Sequence, residues 1–389
     1  MKLGKLSLVA VMALGTSAFA IDNVKANGDV KVIYQTTDNG KLDMFDHNIN
    51  SLAGVGIRVG ATADLTSSVS AGVEAQGFTT LGLDNNLVGG VMATDSVDNQ
   101  GQFSQAWLAA TLAKTTAKIG RQELDTPLAF TEKWNVTYNT FDAAVVLNND
   151  LPDTTLVGAW VGKHNGLGGG KTVDMNSGFG TFGASGAYAF AAVNKSIPNT
   201  TVQAWYYNVL DVADAYWLQA DTKLMGMINL GLQYANMDPK AAGTEDTSIY
   251  AAKAAADVAG VNVYAAYSSA DDSRTVSNFS NVATGDKSMI YTALGSIYQD
   301  GQFTTRSGTD AWKIGASTKI IPSVTLSASY GESDTDNTPT ATKDERNAWD
   351  VVASTNIGSL GLTAIYTQYE IENTTTDLDT LRLIAQLKF

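Results

Sequence analysis

One pattern constrains this chain more than any other. About ten residues of strict apolar/polar alternation are followed by a turn, and then the alternation begins again. In PSVTLSASYGE, Val324, Leu326, Ala328 and Tyr330 form one set and Ser323, Thr325, Ser327 and Ser329 the other. In AGVNVYAAYSS, Val261, Val263, Ala265 and Tyr267 oppose Asn262, Tyr264, Ala266 and Ser268. In AGVGIRVGATAD, Val55, Ile57, Val59 and Ala61 oppose Gly56, Arg58, Gly60 and Thr62. A period of two puts the two sets on opposite faces of a strand. A single strand of this kind suits a soluble sandwich as well as a membrane wall, so count and spacing must decide.

The alternation predicts strands at 27–37, 53–63, 67–77, 101–112, 115–121, 139–148, 154–163, 179–191, 199–208, 212–223, 224–236, 246–257, 259–268, 308–319, 322–332, 345–356, 359–370 and 377–389. That is eighteen. Sixteen is the alternative, because strand edges read from a pattern shift by about two to four residues. The odd-numbered connections include the long ones, 38–52, 78–100, 122–138, 164–178, 269–307 and 333–344. The even-numbered ones are mostly short, among them 64–66, 113–114, 149–153, 320–321 and 357–358. Short turns on one rim and long loops on the other predict an all-β fold, an antiparallel transmembrane β-barrel. An even count puts both termini on the short-turn, periplasmic side. Tyr34, Tyr234, Tyr267, Tyr330 and Tyr366 fall near strand ends on the apolar face, where an interfacial aromatic girdle belongs.

The chain closes on LRLIAQLKF, with Leu381, Leu383, Ala385, Leu387 and Phe389 as its apolar set. The last strand must pair with the first, because only a closed barrel leaves no unpaired backbone group in hydrocarbon. A terminal aromatic of this kind resembles the signal by which outer-membrane barrels are recognised for insertion, which gives Phe389 a role in assembly.

At the other end, Lys2 and Lys5 precede an apolar run from Leu6 to Leu14, and Ala18-x-Ala20 follows. These are the three parts of a cleaved secretory signal, so residues 1–20 are expected to be removed and 21–389 to form the barrel. The formal charge is −14, or −16 once Lys2 and Lys5 are gone. Such an acidic exported chain has no basic footprint for nucleic acid. Cysteine is absent, which excludes a disulfide scaffold and, with only two histidines, disfavours zinc.

A barrel of about 16–18 strands is too wide to be filled by its own wall and leaves an aqueous channel. Selectivity then needs a narrowing element, and connection 122–138 suits that role. It mixes Glu123, Asp125, Glu132 and Lys133 with Leu128, Phe130, Trp134 and Tyr138. The apolar members can hold it against the inner wall while the charges face water. Charge on the lipid face costs about 2–4 kcal/mol at midplane, so strand charges are assigned inward. They are Lys31, Arg58, Asp64, Glu74, Lys118, Asp142, Asp221, Lys223, Lys253, Lys313, Lys319, Arg382 and Lys388. Arg58, Lys118 and Asp142, with Arg121 at the loop's edge, are expected at the level of the constriction. The wall's basic excess favours anions, and the acidic loop and vestibule favour cations. Charges beyond a Debye length of about 8 Å are screened, so the narrow point dominates and a modest cation preference is expected.

Residues 115–163 carry a family likeness. Ile119-Gly120-Arg121-Gln122, Asp125-Thr126-Pro127-Leu128 and Asn139-Thr140-Phe141 are followed by a strand, a short Asn/Asp/Pro turn and another strand. This segment resembles the OprD-like outer-membrane porins, and more particularly their relatives among the major porins of Campylobacter-type bacteria. The resemblance implies that the segment is a third extracellular loop folded into the pore. It also implies passive diffusion of ions and small hydrophilic solutes across an outer membrane, and a possible homotrimer. The chain departs from the family at Trp134-Asn135-Val136-Thr137-Tyr138, where an Arg-Leu-Leu-Pro run is usual.

Two other classes compete with the channel reading. A structural or adhesive barrel would show little conductance. A barrel hydrolase would need His47 or His164, both in expected loops and neither beside a marked nucleophile. No cofactor is expected. Acidic stretches at 82–86, 269–273 and 332–337 could hold Ca²⁺, but they lack EF-hand spacing and read better as hydrated loops.

Overall fold

The computed structural model describes residues 22–389 apart from 46–47, 86, 93–99, 176–177, 274, 276, 299–300, 337–342 and 373–375. The expected signal at 1–20 and His47 lie outside the described residues. Strand segments follow one another along the chain: β1 (Asp22–Asp38), β2 (Ser51–Asp64), β3 (Val69–Thr79), β4 (Gly90–Val91), β5 (Gln100–Leu112), β6 (Thr115–Gln122), β7 (Phe141–Asn148), β8 (Thr154–His164), β9 (Gly180–Thr181), β10 (Ala187–Asn194), β11 (Thr200–Val209), β12 (Ala213–Leu224), β13 (Ile228–Pro239), β14 (Thr247–Val258), β15 (Val261–Ala270), β16 (Thr309–Ile321), β17 (Val324–Thr335), β18 (Asp344–Ile357), β19 (Leu360–Ile371) and β20 (Thr376–Lys388). β4 and β9 are two-residue pieces inside loops. The other eighteen each pair antiparallel with the next, and β20 pairs with β1 from Asp29↔Lys388 to Asp38↔Asp379. The sheet is therefore closed, as the eighteen-strand reading expected, and no wall strand has a free edge.

The seam ends on Phe389. Its N–H donates to the Gly28 carbonyl at 3.0 Å and its carbonyl accepts the Gly28 N–H at 2.9 Å. The Phe389 ring lies over Gly28, where a Cβ would come within 2.8 Å of it. A glycine is what lets the ring cover the seam, and the ring itself faces outward with 62% exposure.

Alternation sorts the two faces as the sequence reading required. Val30, Val32, Tyr34, Leu383 and Leu387 face out, while Lys31, Gln35 and Arg382 are buried inside. The aromatic girdle is larger than five tyrosines. It runs along the loop end of the wall from Trp160 on β8, through Tyr188, Tyr216, Tyr250, Tyr267, Trp312, Tyr330, Trp349 and Tyr366, to Tyr34 on β1. Neighbouring rings touch, with Tyr330 4.5 Å from Trp349 and Tyr234 5.0 Å from Tyr250. From β2 to β7 no outward tyrosine or tryptophan continues it; Ile57, Val73, Leu108 and Ile119 stand there instead.

Two strand readings shift. The strand expected at 179–191 is Ala187–Asn194, because positive φ at Gly178, Gly183 and Gly186 turns the preceding residues back. The run 224–236 begins later, at Ile228, because Met225 (φ 50) and Gly226 (φ 71) make the turn.

Candidate functional site

The loop between β6 and β7, residues 123–140, lies inside the barrel. The inner wall holds it through its backbone. Lys31 Nζ on β1 donates to the carbonyls of Lys133 at 2.7 Å and Asn135 at 3.1 Å, and to Tyr138 Oη at 2.8 Å. Gln76 on β3 exchanges two bonds with the Tyr138 backbone, both at 2.9 Å. Between them, β2 offers a flat shelf: a Cβ on Gly56 would sit 2.1 Å from the Val136 carbonyl oxygen. Val136 packs with Ile33, Phe78 and Met92. At the loop's other end Leu128 packs among Ala159, Trp205, Tyr207 and Trp217 on the far wall. The loop thus reaches across the lumen and is anchored at both ends.

Three of the expected constriction residues meet. Glu123 pairs with Lys133, and Arg58 Nη1 stands 3.5 Å from Glu123 Oε1. Arg58 also pairs with Asp29 at 2.7 Å and lies 3.7 Å above the Tyr138 ring. Burial pushes the Tyr138 hydroxyl up to about 12, so it stays protonated as a hydrogen-bonding group. Lys118 faces inward on β6 with its ammonium 4.2 Å from the Trp107 ring. Asp125 is exposed on a small turn of the loop, where it bridges to Phe130.

Three others are placed differently. Arg121 and Asp142 form an ion pair at 2.8 Å, but on the outward face. They are paired two residues beyond the Ile119↔Ala144 pair, and Ile119 is 61% exposed on the lipid side. The penalty that argued for an inward charge holds at midplane and fades at the rim, which is where this pair stands. Glu132 is 2% exposed and cannot act as a charge facing water. His164, expected in a loop, ends β8 and is packed between Phe141 and Phe182.

The sequence reading missed a second inward loop, residues 271–308. Tyr291 Oη donates to Asp221 at 2.9 Å under the Lys253 ammonium, and Gln233 donates to the Met289 carbonyl at 3.0 Å. Lys313 donates to the Ala293 carbonyl at 2.9 Å, Asp350 accepts the Ser296 N–H at 2.8 Å, and Tyr298 meets Thr380 at 2.7 Å. Several of the wall charges assigned inward, Lys31, Asp221, Lys253 and Lys313, hold loops rather than line open water. The available signal was the apolar series Phe279, Ile290, Leu294 and Ile297 in a connection without strand alternation; all four are buried.

Between the loops lies a cavity of about 400 Å³, lined among others by Gln35, Met92, Trp134, Lys171, Lys287, Ile297, Tyr298 and Arg382. The Trp134 ring has the Lys287 ammonium and the Arg382 guanidinium each 5.0 Å from its centre. Asp286 accepts the N–H groups of Gly169 and Gly170, both at 3.0 Å, which ties a third loop to the second. Among the described residues no group of three or more carboxylates or histidines is placed to hold a metal.

A closed barrel with loops folded into its lumen is a channel architecture, and the family comparison decides which. The model of the outer membrane porin, OprD family, matches residues 21–389. The chain belongs to the OprD family of outer membrane porins. This porin's fold is similar to that of OccK3 (OpdO) from Pseudomonas aeruginosa, at 14% identity over 95% of this chain and 96% of that one, TM-score 0.73. A BenF-like porin from Pseudomonas fluorescens is similar at 13% identity, 95% and 99% coverage, TM-score 0.76. OpdK from Pseudomonas aeruginosa, solved with vanillate, is similar at 15% identity, 95% and 99% coverage, TM-score 0.74. No curated protein sequence matches the chain. The porin is an outer-membrane channel for small solutes, and the family is one of porins rather than enzymes.

Proposed function

We propose that this porin favours small solutes that carry a carboxylate on an apolar body. One observation carries the reading. Arg382, 4% exposed on the cavity wall, spends its bonds on Gln35 Oε1, at 2.8 and 2.6 Å, with no carboxylate in ion-pair range among the described residues. A buried cation without a counter-charge is costly, and a solute carboxylate would supply one. Leu52, Val91, Met92, Ile297 and the Trp134 ring offer the apolar side of the same cavity. Vanillate, with which OpdK was solved, is an aromatic carboxylate. The test is block of single-channel current by vanillate and by its neutral alcohol analogue. Vanillate should block at about tenfold lower concentration, and Arg382→Gln should remove the difference. Equal block by both in the wild type would reject the reading.

A second reading concerns small ions, for which we propose a modest cation preference. Its source is moved by the buried Glu132 and the outward Asp142. Around the first loop the pairs of Asp29, Glu74 and Glu123 with Arg58 and Lys133 cancel most of the charge, and Lys31 is buried against loop carbonyls, so small ions meet little net charge there. The net acid remains in the vestibule, at residues such as Asp43, Asp211, Glu245, Asp271 and Asp336. Rim carboxylates raise the local cation concentration, and salt screens them. The reversal potential in a KCl gradient should therefore show cation preference that fades as salt rises from about 0.1 to 1 M. Anion preference at low salt would contradict this.

We propose further that 1–20 is removed on export and that 21–389 forms the barrel, with 122–138 as constriction loop. A homotrimer would meet through β2–β7, where the girdle of Tyr and Trp is interrupted. Kinship to the Campylobacter-type major porins is supported by the pieces quoted from 115–163. N-terminal sequencing of the exported protein checks the cleavage, and cross-linking in membranes checks the trimer.

A further inference from the structure

The two inward loops meet at one buried carboxylate, and we propose that Glu132 is the pin that makes them a single gating unit. Glu132 Oε1 accepts from Asn281 Nδ2 at 2.9 Å and from Thr284 Oγ, both on the second loop. Its Oε2 accepts from Trp134 Nε1 at 2.7 Å, on its own loop. Its backbone N–H is held by Asn139 Oδ1 at 2.7 Å. One side chain therefore joins the second loop to the ring that faces the cavity.

The position of this junction gives it leverage. Other anchors of both loops go to the rigid wall, through Lys31 and Gln76 for the first and through Gln233, Lys313 and Asp350 for the second, and a third loop bonds each, through Thr172 to the Thr137 carbonyl and through Gly169 and Gly170 to Asp286. The strip from Leu128 to Glu132, against Asn281 to Thr284, joins loop to loop. Backbone bonds cross it as well: the Val282 N–H donates to the Leu128 carbonyl at 2.9 Å, and Asn281 bonds Phe130. Those survive a change at residue 132, so the loops would still meet. What is lost is the tie to Trp134, and with it the fixed place of the ring between Lys287 and Arg382. A buried carboxylate holding three neutral donors strongly favours the joined arrangement, because separating the loops leaves those groups unpaired. Without it the Leu128 and Phe130 bonds still join the loops, but the strip that carries Trp134 shifts on the microsecond to millisecond scale on which loops and lids open and close.

The test is single-channel recording in planar bilayers, with the heat-modifiable folded band as control for the barrel. Glu132→Ala should raise the frequency of brief closures about tenfold. Thr284→Val, which removes a donor to Glu132 and leaves the Asn281–Phe130 bonds in place, should act in the same direction from the other side. The Glu132→Ala, Thr284→Val double variant should be no noisier than Glu132→Ala alone, since partners in one contact are not additive. Glu132→Gln keeps one acceptor and should fall between. A Glu132→Ala pore as steady as the wild type, or a double variant showing the summed effects, would overturn the pin. If Glu132→Ala gives no folded band, Glu132→Gln decides, and a steady trace from it overturns the proposal.

Discussion

Deleting Phe389 should remove most of the folded, heat-modifiable band. The residue closes the seam in two ways. Its N–H and carbonyl both pair with Gly28, and its ring covers the glycine from outside. Without it, two Gly28 backbone groups lose their partners at the membrane edge, each worth about 1–3 kcal/mol where water is scarce. That alone is a sizeable share of a marginal stability of about 5–15 kcal/mol. The aromatic is expected to act in assembly as well, and substitutions separate the two effects. Phe389→Ala keeps both backbone bonds and loses the ring, whereas Phe389→Tyr keeps both. If the ring matters, the tyrosine variant folds like the wild type and the alanine variant falls at least severalfold. An unchanged folded fraction in the deletion would show that the seam closes without this residue.

The wall was legible because one constraint governs every strand. Lipid outside and water inside leave a period of two, and all eighteen strands were found from it. The two displaced edges have local causes. Before β10 the chain keeps strand-like composition, but Gly178, Gly183 and Gly186 take φ values that end the pairing. Between β12 and β13 the turn is made by Met225, Gly226 and Met227, whose two methionines continue the apolar run in composition.

The lumen was much less legible. Inward loops are held by tertiary partners far away in sequence, such as Lys31 for Lys133 and Asp350 for Ser296, and no short pattern encodes those pairings. Charge was also misread where depth was ignored. Arg121 and Asp142 follow the alternation outward, at a rim where lipid no longer forbids them. Glu132 read as a solvated charge because its neutral partners lie on another loop. By contrast Glu123, Lys133 and Arg58 were brought together as expected, since the loop begins at the wall beside them.

The central claim is that this barrel is a water-filled pore narrowed by loops that its own inner wall holds in place. Its most direct test is the single-channel conductance of the wild type beside a variant in which residues 126–134 are replaced by a short Gly/Ser link. The eighteen strand ladders do not pass through that segment, so the barrel should still fold. The link removes Leu128 from the far wall, the Lys133 carbonyl from Lys31, and Glu132 from the second loop. Both loops are thereby loosened and the segment that crosses the lumen is gone. The account predicts stable open steps from the wild type and steps about two- to threefold larger from the variant, as expected when a barrel of this width loses its narrowing element. Silence from the wild type, or equal steps from both, would contradict it.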